Sequence, residues 1–352
     1  MRKLFILFAA VAFAFAFTAP AKAEVAISGY IAFQTYMEDI DNPGTALDTN
    51  DLNWTNDAVC SRLTLAFKDG PFGGLVEVRP LNGSYFRHWW GTWNFGAGTF
   101  GIGQFWTPDF NPISTDKYGC GAMSPLGAGG SVRLPMAQLQ FGNFKVAAGQ
   151  PATGGPAIAG YTDTETSIPK LMASYNLNVA MLGLTVFGGM NTVDLRNPAN
   201  DASISVDSYM AGLNVAVGFG PLTAKGQVWM AENPLEYGTG SAGDGYLPAT
   251  ATGTTINDAD FMGYGISLVY KVNDAWTVTA SYAAGEAERT DAAVKTEWES
   301  SQYNLNATWR AAKNVYITPE YVVLDRGDIT TGGVKAEQTA DTRYGVYWRI
   351  KF

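Results

Sequence analysis

From residue 24 to its end, the chain consists of short runs in which apolar and polar side chains alternate one by one. The connections between runs switch between tight and long. A period of two is the mark of a β-strand with two different faces, not of a helix. The last ten residues, RYGVYWRIKF, show it most clearly. Tyr344, Val346, Trp348, Ile350 and Phe352 fall on one face, and Arg343, Gly345, Tyr347, Arg349 and Lys351 on the other. Many such strands with one apolar face have a stable home in a closed sheet, where no edge is left unpaired and every backbone group is bonded.

Composition supports a wall that meets hydrocarbon. Only 16% of the 352 residues are charged, 13% are aromatic and 40 are glycine, whereas ordinary soluble domains carry about 25% charged residues. A secreted β-sandwich or β-helix is the soluble alternative. Residues 1–23 read as an export signal: Arg2 and Lys3, an apolar run from Leu4 to Phe17, then the small-x-small site Ala21-Lys22-Ala23. The other reading is an uncleaved anchor, but the run is short for a span of about 20 residues. Cleavage would leave residues 24–352 and remove Arg2, Lys3 and Lys22. The net charge would move from −9 to −12, with 20 basic against 32 acidic residues. That balance argues against nonspecific nucleic-acid binding, which needs cations to neutralise phosphates.

Sixteen runs are predicted as strands: 24–37, 58–68, 74–80, 84–95, 98–107, 131–141, 143–150, 168–180, 182–192, 204–218, 222–232, 260–272, 275–286, 298–310, 314–325 and 342–352. Long connections are expected at 38–57, 108–130, 151–167, 193–203, 233–259, 287–297 and 326–341, with tight turns between them. In the run 58–68, Val59, Ser61, Leu63, Leu65 and Phe67 should face out, and Cys60, Arg62, Thr64, Ala66 and Lys68 in. In 168–180, Leu171, Ala173, Tyr175, Leu177 and Val179 should face out, and Lys170, Met172, Ser174, Asn176 and Asn178 in. The run 84–95 fits poorly, since Phe86, Trp89, Trp90, Trp93 and Phe95 crowd both faces. The fold class is therefore all-β, a sixteen-stranded antiparallel transmembrane barrel. Sixteen staves enclose an aqueous bore rather than a packed core.

The signal, the sixteen alternating runs, the irregular segment 108–130 after the fifth run and the terminal Phe352 together resemble the Gram-negative outer-membrane general porins. The resemblance spans all 329 residues after the signal, at the level of pattern. It implies passive diffusion of ions and small hydrophilic solutes, a homotrimer, and contact with outer-membrane lipids and lipopolysaccharide. It also implies a third long loop folded into the bore. The matching segment 108–130 offers Asp109, Asn111, Asp116 and Lys117 as constriction groups; an exposed outer loop is the alternative. By the same resemblance Tyr344, Trp348 and Phe352 serve recognition by the barrel assembly machinery.

Arg62 and Arg79 are the wall residues expected to face those acids, with local ion pairing as the competing role. Glu77, Arg133, Lys170, Lys225, Arg310, Arg349 and Lys351 are further inner-face candidates. Cys60 on the inner face and Cys120 in the loop are compatible with a disulfide in an exported protein; two separate thiols are the alternative. His88, the only histidine, suits a girdle or packing role better than proton transfer. No cofactor, metal site or catalytic group is implied. A substrate-preferring pore, a non-channel surface barrel and an outer-membrane hydrolase remain the other readings.

Overall fold

A computed structural model describes residues 24–43, 48–56, 61–79, 85–113, 126, 129–130, 133–240 and 245–352. The signal region 1–23, Cys60, Asp116, Lys117 and Cys120 lie outside the described residues. Sixteen antiparallel staves form one closed wall. They are β1 (Glu24–Asp41), β2 (Thr49–Asn56 with Arg62–Asp69), β3 (Phe72–Arg79), β4 (Tyr85–Asn94), β5 (Thr99–Trp106), β6 (Arg133–Phe141), β7 (Phe144–Gly149) and β8 (Lys170–Val179). They continue as β9 (Leu182–Asn197), β10 (Ala202–Phe219), β11 (Leu222–Glu232), β12 (Ala259–Lys271), β13 (Trp276–Asp291) and β14 (Val294–Ala312). The last two are β15 (Val315–Asp325 with Asp328–Thr331) and β16 (Val334–Glu337 with Ala340–Lys351). Closure comes from β16 against β1, where Ile31 stands opposite Ile350 and Gln34 opposite Tyr347. Phe352 and Gly29 exchange two backbone bonds of 3.0 and 3.1 Å, sealing the seam to the last residue.

The alternation read from the sequence holds on the wall. Leu171, Tyr175, Leu177 and Val179 are exposed on the outer face, while Lys170, Met172 and Ser174 are buried on the inner one. At the tight-turn end Trp276 and Trp309 stack on the outer surface, centroids 5.7 Å apart, as an interfacial anchor. Three of the two-residue turns begin with Gly70, Gly142 or Gly220 at φ 54°, 55° and 58°, a left-handed conformation that glycine adopts at little cost.

Three departures from the expected pattern have physical causes. First, segments 193–203, 287–297 and 326–341 are largely strand, because β9–β10 and β13–β14 continue as ribbons to Asn197, Ala202, Asp291 and Val294. Above the apolar band the outer face carries polar residues such as Asp194 and Arg196, while Val193, Leu195 and Val206 are buried on the other face, so the lipid-facing signature is lost. Secondly, Ser61, next to Arg62 of β2, is buried rather than outward. Its hydroxyl accepts from Ala32 N at 2.9 Å and donates to Ala32 O at 3.3 Å, replacing ladder bonds. Thirdly, Glu77 pairs with His88 but Val78 with Phe86, so Arg87 is an extra residue. That bulge explains the crowding in 84–95.

The rim is uneven. β9, β10, β13 and β14 have 16, 18, 16 and 19 residues, against 8, 9 and 6 in β5, β6 and β7. The outer surface of the tall side carries acids in register: Glu232 opposite Asp260, Asp260 opposite Glu288, Glu288 opposite Glu297.

Candidate pore-lining site

The bulge in β4 places two consecutive side chains, Arg87 and His88, on the inner face at 3% and 2% exposure. Both converge on Glu77 of β3. Arg87 Nε donates to Glu77 Oε1 at 2.8 Å, Arg62 Nη1 stands 3.5 Å from the same oxygen, and His88 Nε2 3.8 Å. Thr64 Oγ1 donates to the other carboxylate oxygen at 3.3 Å. Among the described residues, one carboxylate therefore serves two guanidinium groups. Such a buried group is sensitive to loss of any member, since an unpaired interior charge costs several kcal/mol.

Positive charge continues along the inner wall toward the seam, interleaved with tyrosines. Arg62 lies 4.7 Å over the Tyr30 ring, and Arg349 lies between Tyr30 and Tyr316 at 5.6 and 4.8 Å. Lys351 stands 4.8 Å over Tyr316. The rings hold these cations by their quadrupole without neutralising them. Arg133 stacks on Trp106 at 4.6 Å, and Trp106 lies parallel to Phe110 at 5.0 Å. His88 packs 4.7 Å from Phe105, so its role is packing inside the bore, not in an outer girdle.

The opposite wall meets the start and end of segment 108–130. Asn111 O accepts from Asn214 at 2.8 Å and from Gln227 at 2.7 Å, both on inner faces. Leu126 O accepts from Trp229 Nε1 at 3.3 Å. Asp109 is fully buried, and its Oδ2 accepts from Tyr237 Oη at 2.6 Å. Tyr237 belongs to the one-turn helix α1 (Pro234–Tyr237). Lys170 Nζ donates to Tyr237 O and lies 3.3 Å over its ring. Burial pushes the Tyr237 phenol well above its usual value, so it remains a donor.

Of the residues singled out from sequence, Arg62 joins the Glu77 cluster on the inner wall. Arg79 lies two residues further along β3, at the edge of the described segment. Asp109 is held in a protein-lined site rather than facing water, and Asn111 contributes its carbonyl rather than its side chain. Tyr344, Trp348 and Phe352 are exposed on the outer face at 44, 40 and 59%. The Cys60–Cys120 bridge is not supported: among the described residues no cysteine pair stands at disulfide distance, where a bridge requires Cα atoms within about 7 Å, and both cysteines lie outside those residues. Sequence reasoning missed Arg87, whose inward aim depends on the bulge; the only signal was the failed alternation around it. It also missed Tyr237, which lies in a connection without periodicity.

A model of Gram-negative porins matches residues 9–329. The comparison with curated proteins gives no match. Among solved structures, the outer-membrane channel DcaP of Acinetobacter baumannii is similar at a TM-score of 0.72 and 16% identity, covering 95% of this chain and 99% of that one. OmpT of Vibrio cholerae is similar at 0.60 and 14%, over 95% and 99%. The anion-selective porin of Comamonas acidovorans follows at 0.57 and 14%, over 94% and 100%. At these identities the structures speak for the fold. Fold and family match together make the molecule a diffusion channel of the outer membrane and not an enzyme. The chain belongs to the Gram-negative porin family.

Proposed function

We propose that segment 108–130 folds into the bore as its constriction, and that the pore passes small hydrophilic solutes with a preference for anions. The inward fold is supported by Asn111 and Leu126, whose carbonyls are bonded by inner-wall side chains. The preference is carried by one observation: the bulge sets Arg87 beside Arg62 on the inner wall, with Glu77 between them. Fixed charge beside a narrow aqueous path concentrates counter-ions and sets selectivity. The net charge of −9 does not oppose this, because many of the acids stand on the outer rim. Asp116 and Lys117, outside the described residues, are the remaining loop candidates.

A reversal potential measured in a planar bilayer across a KCl gradient tests the reading. Anion preference is expected, and the double substitution R62A/R87A should abolish it. A cation-preferring parent, or a double variant with unchanged potential, would sink it.

The assembly is proposed as a homotrimer in contact with lipopolysaccharide and lipid, which native mass spectrometry of detergent-extracted protein would show as three copies. Processing is proposed after Ala23, giving an outer-membrane protein that starts at Glu24. Phe352, with Tyr344 and Trp348 on the closing strand, is proposed as the handle for the assembly machinery. Deleting Phe352 should lower the amount of folded barrel in outer-membrane fractions without changing synthesis.

A further inference from the structure

The connection between β11 and β12, read from sequence as the exposed loop 233–259, holds several of the most buried side chains among the described residues, although residues 252–255 are exposed. Tyr237 and Tyr246 have no exposure, and Leu247 and Ala249 have 5 and 2%. They pack with Met210, Trp229 and Phe261 of the inner wall into one apolar cluster, and Leu126 joins it from segment 108–130. On β11 the buried members, Trp229 and Ala231, alternate with exposed Val228 and Met230. The cluster therefore lies on the bore side of the wall. Gly263 faces the Trp229 ring, Gly285 faces Phe261 and Leu126, and Gly129 faces Met210, Phe187 and Trp229. A methyl group at any of these would collide.

Polar bonds fix the segment at both ends and along its length. Asn233 donates to Asp207 O and Asp258 Oδ1 at 2.8 and 2.7 Å, and accepts from Ala259 N at 2.9 Å, so one side chain ties the two ends of the connection. Asn191 donates to Glu236 O at 3.1 Å, and Arg289 to Pro248 O at 2.6 Å. Lys170, Tyr237 and Asp109 then join β8, this connection and the start of the constriction segment. At Gly189 of β9 a Cβ would strike the Tyr237 hydroxyl, so the segment lies directly against the inner wall there.

We infer that the described parts of this connection, residues 233–240 and 245–258, form a fixed wedge on the β9–β14 side of the bore. It confines the aqueous path to the opposite side and sets the pore's size limit jointly with segment 108–130. Tyr237 is the positioning residue that latches the two segments together and keeps Asp109 out of the water path. The inference rests on the channel reading of the bore. It goes beyond that reading in assigning the size limit to two connections and in making the path off-centre.

The test replaces residues 238–257 with a short Gly-Ser link. Barrels that keep heat-modifiable gel mobility are compared with the parent for single-channel conductance and for sugar permeation by liposome swelling. Conductance is expected to rise by about twofold or more, and larger sugars to enter, because a wider bore carries more ions and bulkier solutes. Tyr237→Phe provides a second measurement should the excised chain not fold. It is expected to produce added substates and a shift of the reversal potential toward cations as Asp109 is released. An excised, folded barrel with parental conductance and sugar limit overturns the wedge. A silent Tyr237→Phe overturns the latch. A parent that does not conduct overturns the channel reading and the wedge with it.

Discussion

The two sides of this barrel follow one rule of alternation and end in opposite states. On β9–β14 the inward positions hold Phe187, Met210, Trp229 and Phe261, covered by other parts of the chain and dry. On β1–β4 and β15–β16 the inward positions hold Tyr30, Arg62, Glu77, Arg87, Tyr316 and Arg349, a polar surface in which charge sits against rings. Alternation decides which side chains look inward; the neighbours they meet decide whether inward means core or channel. Both outcomes can be altered separately, and the expected effects differ in size.

The largest effect belongs to the dry side. Trp229→Ala should lower unfolding stability by about 3–5 kcal/mol, the usual cost of emptying a buried aromatic site. Trp348→Ala on the outer face should cost far less. Urea titration in lipid vesicles, followed by gel mobility, reads both. A Trp229 variant as stable as the parent would mean that this side is no core.

Next comes the charged side. Glu77→Gln removes the carboxylate shared by Arg62 and Arg87. It should cost about 3 kcal/mol of stability, since cations in a largely buried cluster lose their partner. The same variant should strengthen anion preference in the reversal potential. Weakened anion preference would show that the Arg62 and Arg87 charges do not face the path.

A smaller effect depends on pH. Burial raises the Glu236 carboxyl above its ordinary range, offset in part by backbone bonds, including one from Ala249 N. Between the unfolded and folded values the folded chain holds more protons. Stability therefore falls as pH rises through that window, and levels off above the folded value. The connection 233–258 should be nicked by protease more readily at neutral pH than in weak acid, and Glu236→Gln should flatten that dependence. Parallel profiles for parent and variant would count against it.

The smallest effect lies on the rim. Arg196 pairs with Glu165 and Asp201 in solvent, and such exposed pairs contribute little. Arg196→Ala should leave the unfolding midpoint unchanged, and a clear drop would mean that the tall ribbon is part of the cooperative unit.

Much of the wall was legible in the sequence because membrane strands must show lipid an apolar face. β11 was predicted at its observed bounds, 222–232, and β8 had its two faces assigned correctly. Parts of the upper ribbons were read as loops because no lipid face marks Asp194, Arg196 or Ser203. Arg87 was hidden by the bulge, which shifts the register by one residue and makes two neighbours point the same way. Tyr237 and Tyr246 were hidden for another reason. A connection has no repeat from which to infer what it will touch, and the partners of these residues come from distant staves. Asp109 was placed at the right segment but in the wrong medium, since its burial depends on Tyr237, 128 residues away.

The uneven rim gives the molecule a front and a back. At about 3.3 Å per residue, and allowing for strand tilt, ribbons of 16–19 residues rise about 20 Å above staves of 6–9. The mouth is thus cut on a slant, with its strand wall lowest at β5–β7. A diffusing anion that comes from behind meets the tall wall and the in-register acids of its outer surface, and is turned away. From the front the described strand wall is lowest, so capture is expected to be directional: the effective target becomes a sideways-facing window, and orientation in the membrane plane becomes a variable in how fast solutes are collected.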